Sequence, residues 1–366
     1  MLDVKLYGRK IVDRYLIKGL SGMALGLFST LLIGTIIKQI GSLIGDFSIL
    51  SFNVGQFLVQ IGLLATVMTG AGIAIGTAHH LEASKLVMYA SILNGLVGAY
   101  GVKLVQASLI TETGGVLLIG PGDPLGAFLA TIVGVEIGML VSGKTKLDII
   151  LTPAMTIVSG CFVAYQIGPS LSAGTAALSN IIQEATTLQP FLMGVVVSVI
   201  MGICLTLPIS SAAIGIILNL SGIAGGAATA GCAAQMVGFA VMSYRENKIN
   251  GLVAQGIGTS MLQMPNIIKN PKIWIPPILA SAITGPLAAV VFELENVAAG
   301  SGMGTAGLVG PLLMWQTMVE KGANNVVLIV EIILVCFILP AILTYIFGEL
   351  MRRKNFIKEN DLRLEL

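Results

Sequence analysis

Residues 205–248 read LTLPISSAAIGIILNLSGIAGGAATAGCAAQMVGFAVMSYRENK, and no Lys, Arg, Asp or Glu occurs from Phe191 to Tyr244. That run is far longer than the roughly 20 apolar residues that carry one helix across a bilayer. Pro208 interrupts it, as do the small residues Ser221-Gly222 and Gly225-Gly226-Ala227-Ala228. A soluble domain would have to bury all of this in one core. A bilayer accepts it, provided the broken backbone is sheltered by protein or lines a wet cavity. Broken helices at membrane depth are where transporters place their solutes. The stretch is therefore expected to form one wall of such a site.

Composition extends this reading to the whole chain. Of 366 residues, 55% are hydrophobic and 10% charged, and the mean hydropathy is +0.93. Soluble domains carry about 25% charged residues. The apolar runs are long and show no barrel-type alternation, so the spans are helical. The expected fold is all-α: a polytopic membrane protein of about eight to ten transmembrane helices with re-entrant hairpins. The 45 glycines fit helices that approach closely or reverse within the membrane. A net charge of +2 gives no basis for nucleic-acid binding. Cys161, Cys204, Cys232 and Cys336 all lie in apolar runs without a CxxC or Cys/His cluster, so neither disulfides nor a metal or other cofactor is expected.

Along the chain, residues 1–15 are basic and mildly amphipathic and read as an interfacial segment. A transmembrane domain over 16–348 and a charged, soluble tail over 349–366 follow. Spans are expected near 16–37, 54–77, 86–109, 125–141 and 149–167, then a polar surface helix over 169–189. A sixth span over 190–220 is expected to lead into a broken segment reaching Ser243. Ile249 to Met264, about sixteen residues between positive clusters, reads as a re-entrant hairpin returning to one side. A span near 274–291 follows. The Gly-rich Asn296–Gly307 reads as a second re-entrant loop, and the last span covers about 325–347. Placing the Lys- and Arg-rich links inside puts both termini in the cytoplasm. That topology requires 190–243 to cross an odd number of times. Lys146–Gly160 and Lys272–Gly285 also look alike: each starts at Lys, contains Pro and ends at Gly.

Ionisable groups inside a membrane are costly, and each is a functional candidate with a structural alternative. Glu136 lies mid-span and could serve a solute or bond to a neighbouring side chain; Lys103 could pair with it or snorkel. Glu331 reads as structural. His80, beside His79 at a helix end, could bind a sugar hydroxyl or belong to an interfacial loop. Glu295 with Asn296, before the Gly-rich loop, could accept and donate to hydroxyls. Asn94, Gln235 and Gln255 suit a neutral polar ligand better than an ion, with helix packing as the rival explanation. Ser210, in Thr206-Leu-Pro-Ile-Ser-Ser211, offers a hydroxyl beside the Pro break.

Several segments resemble the membrane subunit (EIIC) family of the bacterial phosphotransferase system, and within it the branch of the perfringolysin O regulator protein PfoR. They are Thr206-Leu-Pro-Ile-Ser-Ser-Ala-Ala-Ile-Gly215, Ala233-Ala-Gln-Met-Val-Gly-Phe-Ala240, Tyr244-Arg-Glu-Asn-Lys248, Gln255-Gly-Ile-Gly-Thr-Ser260, Met264-Pro265-Asn266-Ile267 and the Gly300–Gly310 loop before Pro311. The resemblance implies a sugar-translocating permease in the bacterial plasma membrane, usually a homodimer, working with a separate phosphorylated EIIB. In better-known branches a glutamate in a Gly-Ile-Thr-Glu-Pro motif and a histidine hold the sugar. That motif is absent here; Glu295 with its Gly-rich sequel is the nearest substitute, and His80 is a weaker one. Two alternatives stand beside the permease: a membrane regulator or sensor without net transport, and an ion-coupled transporter of a small solute.

Overall fold

A computed structural model of the chain describes residues 10–49 and 52–364, most of it helix. It divides into two compact units at Gly174/Thr175. Of the expected interfacial segment, residues 1–9 lie outside the described residues. Residues from Val12 onward already belong to the first membrane-length helix, so that span begins earlier than expected.

The first unit holds α1 (Val12–Ile44), α2 (Val54–Val67), α3 (Thr69–His80), α4 (Lys85–Ala99), α5 (Pro124–Val141) and the start of α6 (Asp148–Thr186). α2 and α3 follow one another across a bend of 51°, and together they have the length and apolar character of one span. Met68 leaves the helical region at the bend, and the Thr69 hydroxyl donates to the Thr66 carbonyl at 2.6 Å. Asp123 caps α5 by accepting from the Leu125 amide at 2.9 Å, with Pro124 as its first helical residue. Burial raises the Asp123 carboxyl pKa above its ordinary value.

Glycine explains why these helices sit so close. A Cβ on Gly22 would strike the Gly76 carbonyl, and one on Gly26 the Gly72 carbonyl, so α1 and α3 meet backbone to backbone. Gly70 and Gly95 do the same for α3 and α4, and Gly98 and Gly126 for α4 and α5. Without a hydrophobic drive between helices in lipid, such close van der Waals contact is what holds them together. Gly26→Val is therefore expected to lower stability by about 3 kcal/mol, the upper end for overpacking, read as a fall in Tm of the detergent-solubilised protein.

The second unit is built around α9 (Gly222–Met242), preceded by α7 (Pro190–Thr206) and α8 (Ser211–Ile217). It is followed by α10 (Tyr244–Val253), α11 (Pro271–Val291), α12 (Val309–Glu320) and α13 (Asn325–Arg353). Small residues let α9 lie at the centre, 89% buried over its most apolar window. Gly231 sits against the Ser198 backbone on α7, and Gly226 against the Leu294 carbonyl beyond α11.

Of the expected breaks, those at Pro208 and Ser221-Gly222 are present, and the one at Gly225–Ala228 is not. α9 runs intact through Gly225-Gly226-Ala227-Ala228, because those residues fill close helix contacts and do not end the helix. The reversal lies at Leu207–Ser210, around Pro208. α7 rises alongside α9, with Gly202 at Gly231 and Thr206 at Gln235. The chain then comes back: Gly215 meets Ser301, and Gly225 lies against the Leu220 carbonyl. From Gln235 to Gly225 is ten residues of α9, about 15 Å. Residues 190–220 are thus a re-entrant hairpin where one full span was expected, and 190–243 makes one net crossing. The expected surface helix over 169–189 is likewise not separate, since α6 continues to Thr186 through Pro169.

Among the described residues, six helices are long and apolar enough to cross a membrane, and the bent α2–α3 pair makes seven. With α4 they make eight candidate spans. α13 runs on to Arg353, and the residues after it are not a free tail. Ile357 and Leu362 are buried in a cluster with Phe239, Met242, Ile267 and Ile273. Two apolar side chains spaced through a charged stretch are enough to anchor it.

Candidate substrate site

Two hairpins enter the second unit from opposite ends of α9. The first is α7–α8. The second starts at α10, whose chain breaks at Lys248 (φ 52°, ψ −150°), and returns through Met264–Lys269. Its two arms are tied together near the C-terminal end of α9. Gln255 Nε2 donates to the Ser243 hydroxyl at 2.8 Å, and Gln263 Nε2 donates to Gln255 Oε1 at 2.8 Å. Between them the chain turns at Thr259, which is extended. The expected hairpin over 249–264 is therefore present.

The tips of the two hairpins meet. The hydroxyls of Thr206 and Ser260 are 2.8 Å apart, beside Gln235 on α9. Gln235 Oε1 accepts from Trp274 Nε1 at 2.9 Å and from Thr206 Oγ1 at 3.4 Å. Its Nε2 donates to Ser281 Oγ at 3.2 Å. Ser198 Oγ on α7 donates to the Ser281 carbonyl at 2.8 Å. Gln235, Thr206, Ser260, Ser281 and Ser198 are all buried, and no ionisable side chain bonds to Gln235. An amide and hydroxyls can exchange these internal bonds for those of a solute's hydroxyls, offering donors and acceptors in turn. The same set has no full charge with which to hold an ion.

The Gly-rich loop closes on the same helix. Asn296 is buried, donates to Thr229 Oγ1 on α9 at 2.9 Å and to the Gly310 carbonyl at 3.0 Å. Gly304, at φ +51°, lies against the Cys232 backbone, where a side chain would fit neither the conformation nor the space. Thr305 Oγ1 reaches the Gly256 carbonyl at 2.5 Å and Met236 Sδ at 3.5 Å. The loop thus touches the second hairpin beside its tip.

The expected residues separate into distinct places. Gln235 is at the meeting of the tips. Gln255 braces the second hairpin. Asn296 braces the Gly-rich loop about 9 Å of helix away, counted from Thr229 to Gln235. Glu295 lies near Gly222 at the start of α9 and accepts from Lys321 Nζ at 2.5 Å. Ser210 caps α8 through the Ala213 amide at 3.3 Å. His80, Asn94 and Glu136 belong to the first unit. His80 Nδ1 is 3.0 Å from the Gly76 carbonyl. Glu136 pairs with Arg14 at 2.8 Å, while Lys103 sits over the Tyr100 ring. Asn94 donates to the Thr156 carbonyl at 3.0 Å, enclosed by Gly134 and Gly160.

The two similar segments found in the sequence explain part of this pattern. Aligned on their terminal glycines, Gly160 and Gly285, they put Thr156 opposite Ser281. Asn94 bonds at the first and Gln235 at the second. The partners that sequence reasoning did not single out are Trp274, Ser281, Ser198, Thr229 and Thr305. Each is an ordinary polar residue in an apolar helix or loop, and only its contact marks it.

The sequence model of the family described as "Phosphotransferase system, EIIC" matches residues 17–364. No curated protein matches the chain.

Proposed function

Because the chain belongs to the phosphotransferase system EIIC family, we propose that it is the permease subunit translocating a sugar or a related neutral polar solute. The observation that carries this reading is the meeting of two opposed hairpin tips, Thr206 and Ser260, at the uncharged Gln235. Parting of these tips would open Gln235 to a solute. Gln235, Thr206 and Ser260 would bond solute hydroxyls, and Trp274 would offer an apolar face. Gln255 and Asn296 hold the surrounding hairpin and loop. A separate phosphorylated EIIB would transfer its phosphoryl group to a hydroxyl of the solute.

We take both termini and the Lys- and Arg-rich links to lie on the cytoplasmic side of a bacterial plasma membrane, the side that positive links favour. A homodimer is the family's usual assembly. Glu136, engaged by Arg14, leaves little support for an ion-coupled carrier. The regulatory reading comes from the resemblance to the PfoR branch.

Uptake of a labelled sugar panel into proteoliposomes, with and without phosphorylated EIIB, tests the proposal. Sugar phosphate is expected inside only when phosphorylated EIIB is present. Solute binding without flux would replace the permease by a sensor, and flux indifferent to EIIB would replace it by a coupled carrier.

A further inference from the structure

At the C-terminal end of α9 the tail residues 355–363 fold over α10 and the end of α13, and enclose a cleft of about 570 Å³. Four cations line it, Arg245, Arg352, Lys358 and Arg363, against two carboxylates, Glu246 and Glu359. Arg352 bonds to Glu246 at 2.7 Å, and the Glu246 side chain is only 5% exposed. That carboxylate is therefore largely shielded from the cleft, whereas Lys358, Arg363 and the one remaining carboxylate, Glu359, are exposed. The lining residues themselves carry a formal charge of +2, and Arg245 is also paired with Glu349 beside the cleft at 3.1 Å, so the free positive charge lies on Lys358 and Arg363. This cleft is separate from the residues around Gln235 and takes no part in the solute site proposed above.

We infer that the cleft binds a phosphate ester. A phosphate monoester carries about −1.5 to −2 charges at neutral pH, so it neutralises the lining, whereas a phosphodiester carries one. Arginine forks and a lysine ammonium are the side chains suited to its oxygens. Asn355 and Asn360 also line the cleft and are exposed, and their amides can bond a hydroxyl on the ester. A hydroxyl-bearing monoester such as a hexose phosphate fits best. The headgroup of an anionic phospholipid offers the same phosphate chemistry from a second source.

The cleft exists only while the tail is docked. Lys358 and Arg363 come from the tail, and Arg245 and Arg352 from α10 and α13. The ligand therefore bridges them and stabilises docking by mass action. Docking in turn engages the second hairpin, because the Leu362 carbonyl accepts from Gln263 and Asn247, and the Arg363 carbonyl from Asn266.

Hydrogen exchange of residues 355–364 in the full-length protein reads this directly. Inorganic phosphate and a hexose phosphate are each titrated in detergent against chloride at equal ionic strength. A parallel arm uses phosphatidylcholine nanodiscs with and without phosphatidylglycerol. Hexose phosphate is expected to slow exchange, at lower concentration than inorganic phosphate. The Lys358→Ala/Arg363→Ala double variant should raise the midpoint by roughly tenfold to a hundredfold per lost charged hydrogen bond. Lys354→Ala, exposed and outside the lining, should leave the midpoint unchanged and serves as the control. Slowing by phosphatidylglycerol alone would keep the phosphate site and assign it to a lipid headgroup. Protection by chloride equal to that by phosphate, or a midpoint unaltered in the double variant, would mean an adventitious ion only and overturn the inference.

Discussion

Gln235→Leu is expected to weaken solute binding by roughly thirtyfold or more while leaving the protein folded. The amide meets Thr206, Ser281 and Trp274 at the point where the hairpin tips touch. Losing two hydrogen bonds to a solute, about 1 kcal/mol each, weakens binding by roughly thirtyfold. A solute that enters also meets a Trp274 N–H and a Ser281 hydroxyl without their usual partner, which adds to the penalty. The orphaned indole donor costs the folded state about 1–3 kcal/mol, a loss that the melting temperature reports separately. Gln235→Glu keeps the acceptor for Trp274 but introduces a carboxylate among buried hydroxyls, and should bind less well than wild type. Binding is measured as sugar-dependent quenching of Trp274 fluorescence, with Trp315 replaced by Phe. Wild-type affinity in Gln235→Leu for every solute that the wild type binds would remove Gln235 from the site and leave it as helix packing.

Leu362→Asp is expected to undock the C-terminal tail and loosen the second hairpin. Leu362 is fully buried, and its cluster joins α9 to Ile267 and Ile273. Truncating a buried leucine costs about 2–5 kcal/mol, and placing a carboxylate there adds its desolvation. Undocking also strips the carbonyls of Leu362 and Arg363 from Asn247, Gln263 and Asn266. Those amides lie on both arms of the hairpin, so exchange should accelerate in 249–266 as well as in 355–364. A large drop in Tm with unchanged exchange over 249–266 would show that the tail stabilises the unit without bracing the hairpin. An unchanged Tm would mean that the docked tail contributes nothing.

Much of the architecture is legible in the chain because a bilayer allows few solutions. Apolar runs of span length, Lys and Arg in the links, and a sixteen-residue apolar piece between positive clusters are enough to identify helices and the second hairpin. The first hairpin is harder to read. Pro208 and the glycines near Gly225 are equally good breaking signals in one dimension. Contact separates them: Gly226 and Gly231 are occupied by neighbouring backbone, which keeps α9 helical, whereas Leu207–Ser210 turns back. The tail misleads for the opposite reason, since two buried side chains outweigh its charge.

The candidate site divides along the same line. Composition and the lack of charge from Phe191 to Tyr244 are sufficient to specify a membrane protein with a buried, neutral, polar interior, and Gln235, Gln255 and Asn296 stand out within it. Their partners do not, because a serine or threonine in an apolar helix bonds its own backbone as readily as a distant amide. Which of them meet depends on helices packed at glycine distance. Thr206 and Ser260 lie 54 residues apart in the chain and 2.8 Å apart in space, and no local pattern encodes that approach. The sequence carries the solvent in which each segment is stable; the packing of α7, α9 and α11 around Gln235 carries the site.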